Sequence, residues 1–220
     1  MKAIILDFYG TIVREAHAVL ENIAKTFQAH GAKIGAEEVC RMWWEEFAKQ
    51  CDAAYSDRFR LQRELYGPTL QVMQKRAGVE VDIDALVQEI IEFTVTSQPF
   101  DDALEFLDRC PYPCYILSNV DDKELQIMVR KNKLAVKGTY TSEQAGEYKP
   151  RKGIFEKGLQ TFGYEPRDVL YVGDSLRNDY YGARGAGIES VWLNRRQAEV
   201  PDTVVSVPDF RVLLASLLDR

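Results

Sequence analysis

Four short stretches of this sequence carry side chains that could break a covalent bond together. Asp7 directly follows Ile4-Ile5-Leu6, Ser118-Asn119 follow Cys114-Tyr115-Ile116-Leu117, and Asp174 and Asp179 follow Val169-Leu170-Tyr171-Val172. Lys149 stands beside Pro150. A carboxylate can act as a nucleophile, forming an ester or acyl phosphate that a second step hydrolyses. Asp7 with Asp174 also suits a hard divalent cation, because magnesium takes one or two carboxylates together with substrate phosphate oxygens. Lys149 would supply a point charge for a transferring phosphoryl group or an anionic intermediate. Thr11, Ser118 and Asn119 add hydroxyls and an amide. Read alone, Asp7 could equally cap the turn that Gly10-Thr11 announces.

A parallel sheet would bring these residues together. Each apolar run is too short for a helix face and suits a strand buried on both sides. Open α/β sheets hold their ligands at the carboxyl ends of the strands, where all these groups stand. After Thr11 the pattern turns helical. Ala16, Val19, Leu20, Ile23 and Phe27 recur at spacings of three and four, and Gly31 stops the helix. Further helices are predicted over 36–50 and 57–77, the latter bent or split at Gly67-Pro68, and from about 82 onward. No strand is predicted between Glu15 and about Ser97.

From Pro99 the chain alternates. Helices are predicted over 101–109, 121–131, 153–162, 176–186 and 208–218. Strands are predicted over 114–117, 137–142, 169–172 and 190–193, with 204–205 as a further candidate. The fold class this implies is α/β: a three-layer, Rossmann-like core around a parallel sheet, formed by residues 1–14 and 98–220. An all-helical cap over 15–97 would be inserted into it. The carboxyl-end rule then makes Asp7, Ser118-Asn119 and the residues after Val172 converge.

Composition narrows the partners. The 220 residues are 46% hydrophobic and 28% charged, as for a globular protein, and the net charge of −6 disfavours a broad nucleic-acid-binding field. Cys40, Cys51, Cys110 and Cys114 form no C-x-x-C pair and lie far from His17 and His30, which argues against zinc and for free thiols. Charges at Lys2 and Asp7 interrupt the N-terminal apolar run and no stretch has the apolar length of a membrane span, so no signal peptide or membrane partner is predicted and the cytoplasm is the expected compartment.

The order of motifs resembles the haloacid dehalogenase superfamily of hydrolases, in the subgroup whose helical cap follows the first motif. The resemblance rests on Asp7-x-Tyr9-Gly10-Thr11, Ser118-Asn119, Lys149-Pro150 and Gly173-Asp174-Ser175-x-x-Asn178-Asp179, and covers essentially the whole chain. It implies that Asp7 is the nucleophile, oriented by Thr11. Ser118 and the backbone at Asn119 would bind the substrate's oxyanion or phosphate, and Lys149 would balance negative charge. In the phosphatase branch, Asp7, Asp174 and the backbone carbonyl of Tyr9 would hold magnesium, with Asp179 orienting that shell or Lys149.

Tyr9 departs from the phosphatase pattern, which has a second aspartate there as general acid and base. Such assistance contributes about a hundredfold to ten-thousandfold, and a phenol with an ordinary pKa near 10 cannot replace it at neutral pH. Asp-x-Tyr-Gly-Thr is similar to the first motif of the 2-haloacid dehalogenases, whose halide leaving group needs no proton. The acidic Gly173-Asp174 start pulls the other way, since a carboxylate beside Asp7 would repel an anionic haloacid unless a cation neutralised it. Dehalogenases also grip their substrate with a cap arginine, for which Arg41 is the nearest candidate, and Phe155 lacks the hydroxyl expected after the lysine motif. Trp43-Trp44 is predicted to pack the cap on the core, Asp121-Asp122 to cap a helix, Tyr180-Tyr181 to pack on the sheet or cap, and Arg195-Arg196 to lie in a surface turn.

The leading expectation is a magnesium-dependent phosphatase acting on a small phosphorylated metabolite, an anionic small molecule. The alternatives are a metal-independent 2-haloacid dehalogenase and a phosphonatase-like carbon–phosphorus hydrolase, which would need a cap lysine such as Lys49 or Lys25. A binding module inactivated at Tyr9 is disfavoured by the presence of both Asp7 and Lys149.

Overall fold

The computed structural model describes residues 1–15 and 17–218. Six parallel strands form one sheet in the order β3-β2-β1-β4-β5-β6: β1 (Ala3–Leu6), β2 (Cys114–Ser118), β3 (Gly138–Thr141), β4 (Val169–Gly173), β5 (Glu189–Leu193) and β6 (Ser206–Val207). Helices α1 (His17–Ala29), α2 (Ala36–Ala53), α3 (Gln62–Ala77) and α4 (Ile83–Thr96) separate β1 from the rest. Then come α5 (Asp101–Arg109), α6 (Asp122–Lys131), the single turn α7 (Ser142–Ala145), α8 (Lys152–Phe162), the short α9 (Gly182–Gly185) and α10 (Phe210–Leu218). Ala16, expected on the inner face of the first helix, lies outside the described residues.

The period-two geometry of β1 explains why its whole run is apolar. Ile4 and Leu6 face a cluster with Phe106 and Phe210, while Ala3 and Ile5 face another with Phe155 and Leu159. Burying each isoleucine or leucine stabilises the fold by roughly 1.5–3 kcal/mol. Leu6 is level with Ile116 on one side and Val172 on the other, which aligns the strand ends. The strand order reverses about β1, so the crevice for a ligand opens at the carboxyl ends of β1 and β4.

The helices α1–α4 gather around an apolar cluster of their own, including Leu20, Phe27, Val39, Trp43, Leu70 and Ile90; Tyr148 joins it from the later chain. The two chain passages between this block and the sheet run side by side. Arg14 N–H donates to Gln98 O at 3.0 Å and Phe100 N–H to Ile12 O at 2.9 Å. Among the described residues no helix is long and apolar enough to cross a membrane.

Several local expectations change. The helix α3 continues through Pro68 without splitting. Proline cannot donate to the carbonyl four residues back, but Arg60 Nη2 donates to that Glu64 oxygen at 2.9 Å instead. Trp43 stacks on Phe47 within the helical cluster, with centroids 5.3 Å apart, whereas Trp44 is 40% exposed. Adjacent helical residues point about 100° apart, so the pair cannot act as one wall. Tyr180 is buried and Tyr181 exposed, and the expected helix over 176–186 opens with a π-helical turn, Leu176–Tyr181. Arg195 is no surface residue: its guanidinium pairs with Asp102 at 3.0 Å, donates to Thr11 O at 2.9 Å and lies over the Phe100 ring.

Candidate active site

The site begins where β1 runs out of apolar residues. Asp7 N–H donates to Val172 O at 2.9 Å, extending the ladder by one step. The chain then turns, with Phe8 O accepting from the backbone N–H groups of Thr11, Ile12 and Val13. Gly10 sits in this turn at φ +83°, and a Cβ there would collide with the Asp174 carboxylate. A side chain would also close Gly173, which lies against Asp179. The two glycines therefore let three carboxylates approach one another.

Asp7, Thr11, Ser118, Lys149, Asp174 and Asp179 lie together, as their places at strand ends predict. Asp7 Oδ1 accepts from Ser118 Oγ at 2.8 Å and from Lys149 Nζ at 2.6 Å. Among the described residues, Asp7 Oδ2 has only a 3.4 Å contact from Thr11 Oγ1, which itself accepts from Asp174 N–H at 3.1 Å. The buried Lys149 ammonium also reaches Asp179 Oδ1 at 2.6 Å and Tyr171 Oη at 2.9 Å. Ser175 N–H donates to Asp179 Oδ2 at 2.9 Å.

Asn119 also contributes its side chain. Its side chain clasps the Lys149 main chain, accepting from Lys149 N–H at 2.7 Å and donating to Lys149 O at 3.2 Å. Arg41 does not join the cluster. Its guanidinium is exposed on α2 and paired with Glu38 and Glu45 of the same helix, a consequence of their three- and four-residue spacing. Asp121 was expected to cap its own helix but accepts from Gln62 N–H at 2.8 Å and Arg63 N–H at 3.2 Å, so it caps α3 across the fold.

Two further contributors come from inside strands. Tyr171 is fully buried in β4, and its hydroxyl donates to Leu117 O at 2.8 Å beside the lysine. A tyrosine inside an aliphatic run is itself a signal, since a buried phenol needs a polar partner. Trp192 Nε1 donates to Asp174 O at 2.7 Å and so holds the acidic loop by its backbone.

Ligand atoms of Asp7, Asp174 and Asp179 lie within 4.8 Å of one another, with Lys149 the cation bonded among them. Burial, then the charges of Glu15, Asp7 and Asp179, hold the Asp174 carboxyl well above the usual carboxylate range. Burial raises Asp179 to about 6 against the pull of Lys149. Burial alone would lower Lys149, but Asp179 and Asp7 outweigh it and keep the ammonium charged. The Asp174 carboxylate accepts no hydrogen bond among the described residues, and neither does the carbonyl of Tyr9. An all-oxygen set with surplus negative charge fits a hard divalent cation.

This surplus has a measurable sign. A carboxyl raised from 3.8 to about 6 in the fold contributes stability fully present below its unfolded value and lost as pH rises through its folded one. In EDTA, the thermal midpoint of Asp179→Asn relative to the unsubstituted protein is therefore expected to rise between about pH 4 and pH 7. Differential scanning calorimetry across that window checks it; a flat or falling difference contradicts it.

A family model described as a haloacid dehalogenase-like hydrolase matches residues 1–187. The chain belongs to that family. Among relatives, glyceraldehyde 3-phosphate phosphatase of Pyrococcus furiosus is 41% identical over 52 residues, 24% of this chain and 22% of that protein. The match thus spans about a fifth of that relative's length. (S)-2-haloacid dehalogenase 4A of Burkholderia cepacia is 23% identical over 205 residues, 89% of this chain and 84% of that one. Among solved structures, the L-2-haloacid dehalogenase from Xanthobacter autotrophicus superposes with a TM-score of 0.78 at 20% identity, covering 99% of this chain and 98% of that one. This likeness establishes the haloacid dehalogenase-like fold.

Proposed function

We propose that this haloacid dehalogenase-like hydrolase is a magnesium-dependent phosphatase of a small phosphorylated metabolite in the cytoplasm, with residues 15–97 forming a cap over a core of 1–14 and 98–220. The observation that carries the reading is Asp174. Its carboxylate lacks any hydrogen-bond donor among the described residues, yet it crowds Asp7 and Asp179 in a space that Gly10 keeps open. Such an arrangement is costly unless a cation joins it.

Magnesium, held by Asp7, Asp174 and the Tyr9 carbonyl with Asp179 supporting them, would offset the charge of the phosphoryl group. Asp7 Oδ2, the oxygen with only a 3.4 Å contact, attacks phosphorus. The bond from phosphorus to the leaving oxygen breaks, and its electron pair stays on that oxygen. Ser118 Oγ and Asn119 N–H bind phosphoryl oxygens, and Lys149 Nζ holds Asp7 Oδ1 in place. Water then attacks the aspartyl phosphate, releasing inorganic phosphate and restoring the carboxylate.

Tyr9 does not serve as the missing acid. Its hydroxyl donates to Thr94 O at 2.5 Å, and burial, reinforced by Glu124, pushes its pKa further up. Substrates whose leaving group needs no proton, acyl phosphates above all, fit this site best. Phosphate release from acetyl phosphate is therefore expected with magnesium and is lost in EDTA.

Tyr9, together with similarity over most of the chain to a named haloacid dehalogenase, favours a second reading, halide displacement by Asp7. Chloride release from 2-chloropropionate in EDTA, without phosphate release in magnesium, would replace the first reading by this one. Against it stand the pairing of Arg41 on its own helix and the third carboxyl, Asp174, that is crowded against Asp7 and Asp179.

A further inference from the structure

The Lys149 ammonium has three protons to give and, among the described residues, four acceptors within reach. Asp7 Oδ1 and Asp179 Oδ1 each lie 2.6 Å from Nζ, Tyr171 Oη lies at 2.9 Å and Leu117 O at 3.5 Å. Lys149 is 3% exposed and Tyr171 fully buried, so the choice among these acceptors is made inside the protein. Whichever acceptor goes without sets where the ammonium points, and with it how firmly Asp7 is held.

The Tyr171 hydroxyl bears on that choice twice. A phenol has one proton, which cannot point at a cation that is itself donating to the same oxygen. That proton goes instead to Leu117 O at 2.8 Å, with Asp179 Oδ1 further off at 3.2 Å. The phenol oxygen is then left to accept from Nζ, and the Leu117 carbonyl is engaged by a nearer donor than the lysine. The ring has little freedom to leave this place. Tyr171 is level with Ile5 in the sheet, and its ring meets Phe155 edge-on with centroids 5.4 Å apart.

We propose that Tyr171 is a positioning residue that acts through Lys149. Its oxygen takes the third ammonium proton while its own proton keeps Leu117 O from the lysine, so the other two N–H bonds stay on Asp7 and Asp179. Asp7 Oδ1 is thereby fixed and Oδ2 is left for the substrate. The kinetic half of the test rests on the phosphatase reading; the structural half does not.

Tyr171→Phe keeps the ring and removes the oxygen. Leu117 O then loses its donor and becomes the acceptor to which the third ammonium proton can turn. Crystal structures of this variant and of the unsubstituted protein, both grown in EDTA, are expected to show Nζ drawn to about 3 Å from Leu117 O and away from Asp7 Oδ1. With acetyl phosphate and magnesium, kcat is expected to fall at least about tenfold, since a misplacement of about 1 Å can cost about 10²-fold. KM is expected to stay within about twofold, because the tyrosine acts on the lysine and not on the substrate. Phe106→Leu, in the apolar cluster on the other face of the sheet, serves as the comparison: it should lower the thermal midpoint and leave kcat within about twofold. An ammonium that stays on both carboxylates with a water in place of the phenol oxygen overturns the proposal. So does an unchanged kcat, or a loss no larger than that of Phe106→Leu. Absence of phosphate release by the unsubstituted protein rejects the phosphatase reading instead, and the position of Nζ in Tyr171→Phe then decides the proposal by itself.

Discussion

Asp7→Asn is expected to lower phosphate release by at least about 10³-fold, because it removes the proposed nucleophile and changes little else. The amide oxygen can still accept from Ser118 Oγ and Lys149 Nζ, which now reach Asp7 Oδ1 at 2.8 and 2.6 Å. It also removes one of three crowded carboxylates. The variant should therefore fold, with a thermal midpoint equal to or above that of the unsubstituted protein. Stopped-time phosphate assays paired with thermal melts check both halves of this outcome. A folded variant retaining a tenth of the activity would remove Asp7 from the nucleophile role.

Lys149→Met should act mainly on stability. The methionine chain fills much of the space of the lysine stem, so cavity formation is small. What disappears is the ammonium that holds Asp7 and Asp179, each at 2.6 Å, in a site where the lysine is 3% exposed. Breaking a buried ion pair from one side costs about 3–5 kcal/mol, because the partner charges stay behind. The denaturant midpoint in EDTA should fall accordingly, and magnesium should recover part of the loss by acting on the same carboxylates. A change below about 1 kcal/mol in EDTA would show that the carboxylates do not depend on this lysine for their charge balance.

Much of this architecture is legible in the sequence. The aliphatic runs ending at Leu6, Leu117 and Val172 announce strands; Asp7 and Ser118 follow the first two directly, and Asp174 follows the third after Gly173. The capping aspartate at Asp82 and the glycine stop at Gly78 bracket helices with the expected ends. Other features were hidden because their partners are distant. Arg60 rescues the Pro68 gap, Asp121 caps α3, and Arg195 is drawn inward by Asp102 and Thr11. Arg41 failed as a substrate-gripping candidate for the opposite reason, since its partners are one helical turn away on its own helix.

The sequence by itself determined the identity of the candidate groups and their positions at strand ends, because strand formation from short apolar runs and the turn at Gly10 are local matters. It also determined that the N-terminal strand joins the later strands in one parallel sheet, whereas the strand order is decided by the tertiary structure. Only the tertiary structure decided which charges touch. Sheet register puts Asp7 level with the end of β4 and brings the Tyr171 hydroxyl beneath Lys149; helix rotation turns Glu124 and Tyr66 toward one cavity and Arg41 out to solvent. Those relations depend on packing between segments far apart in the chain, which no local periodicity encodes.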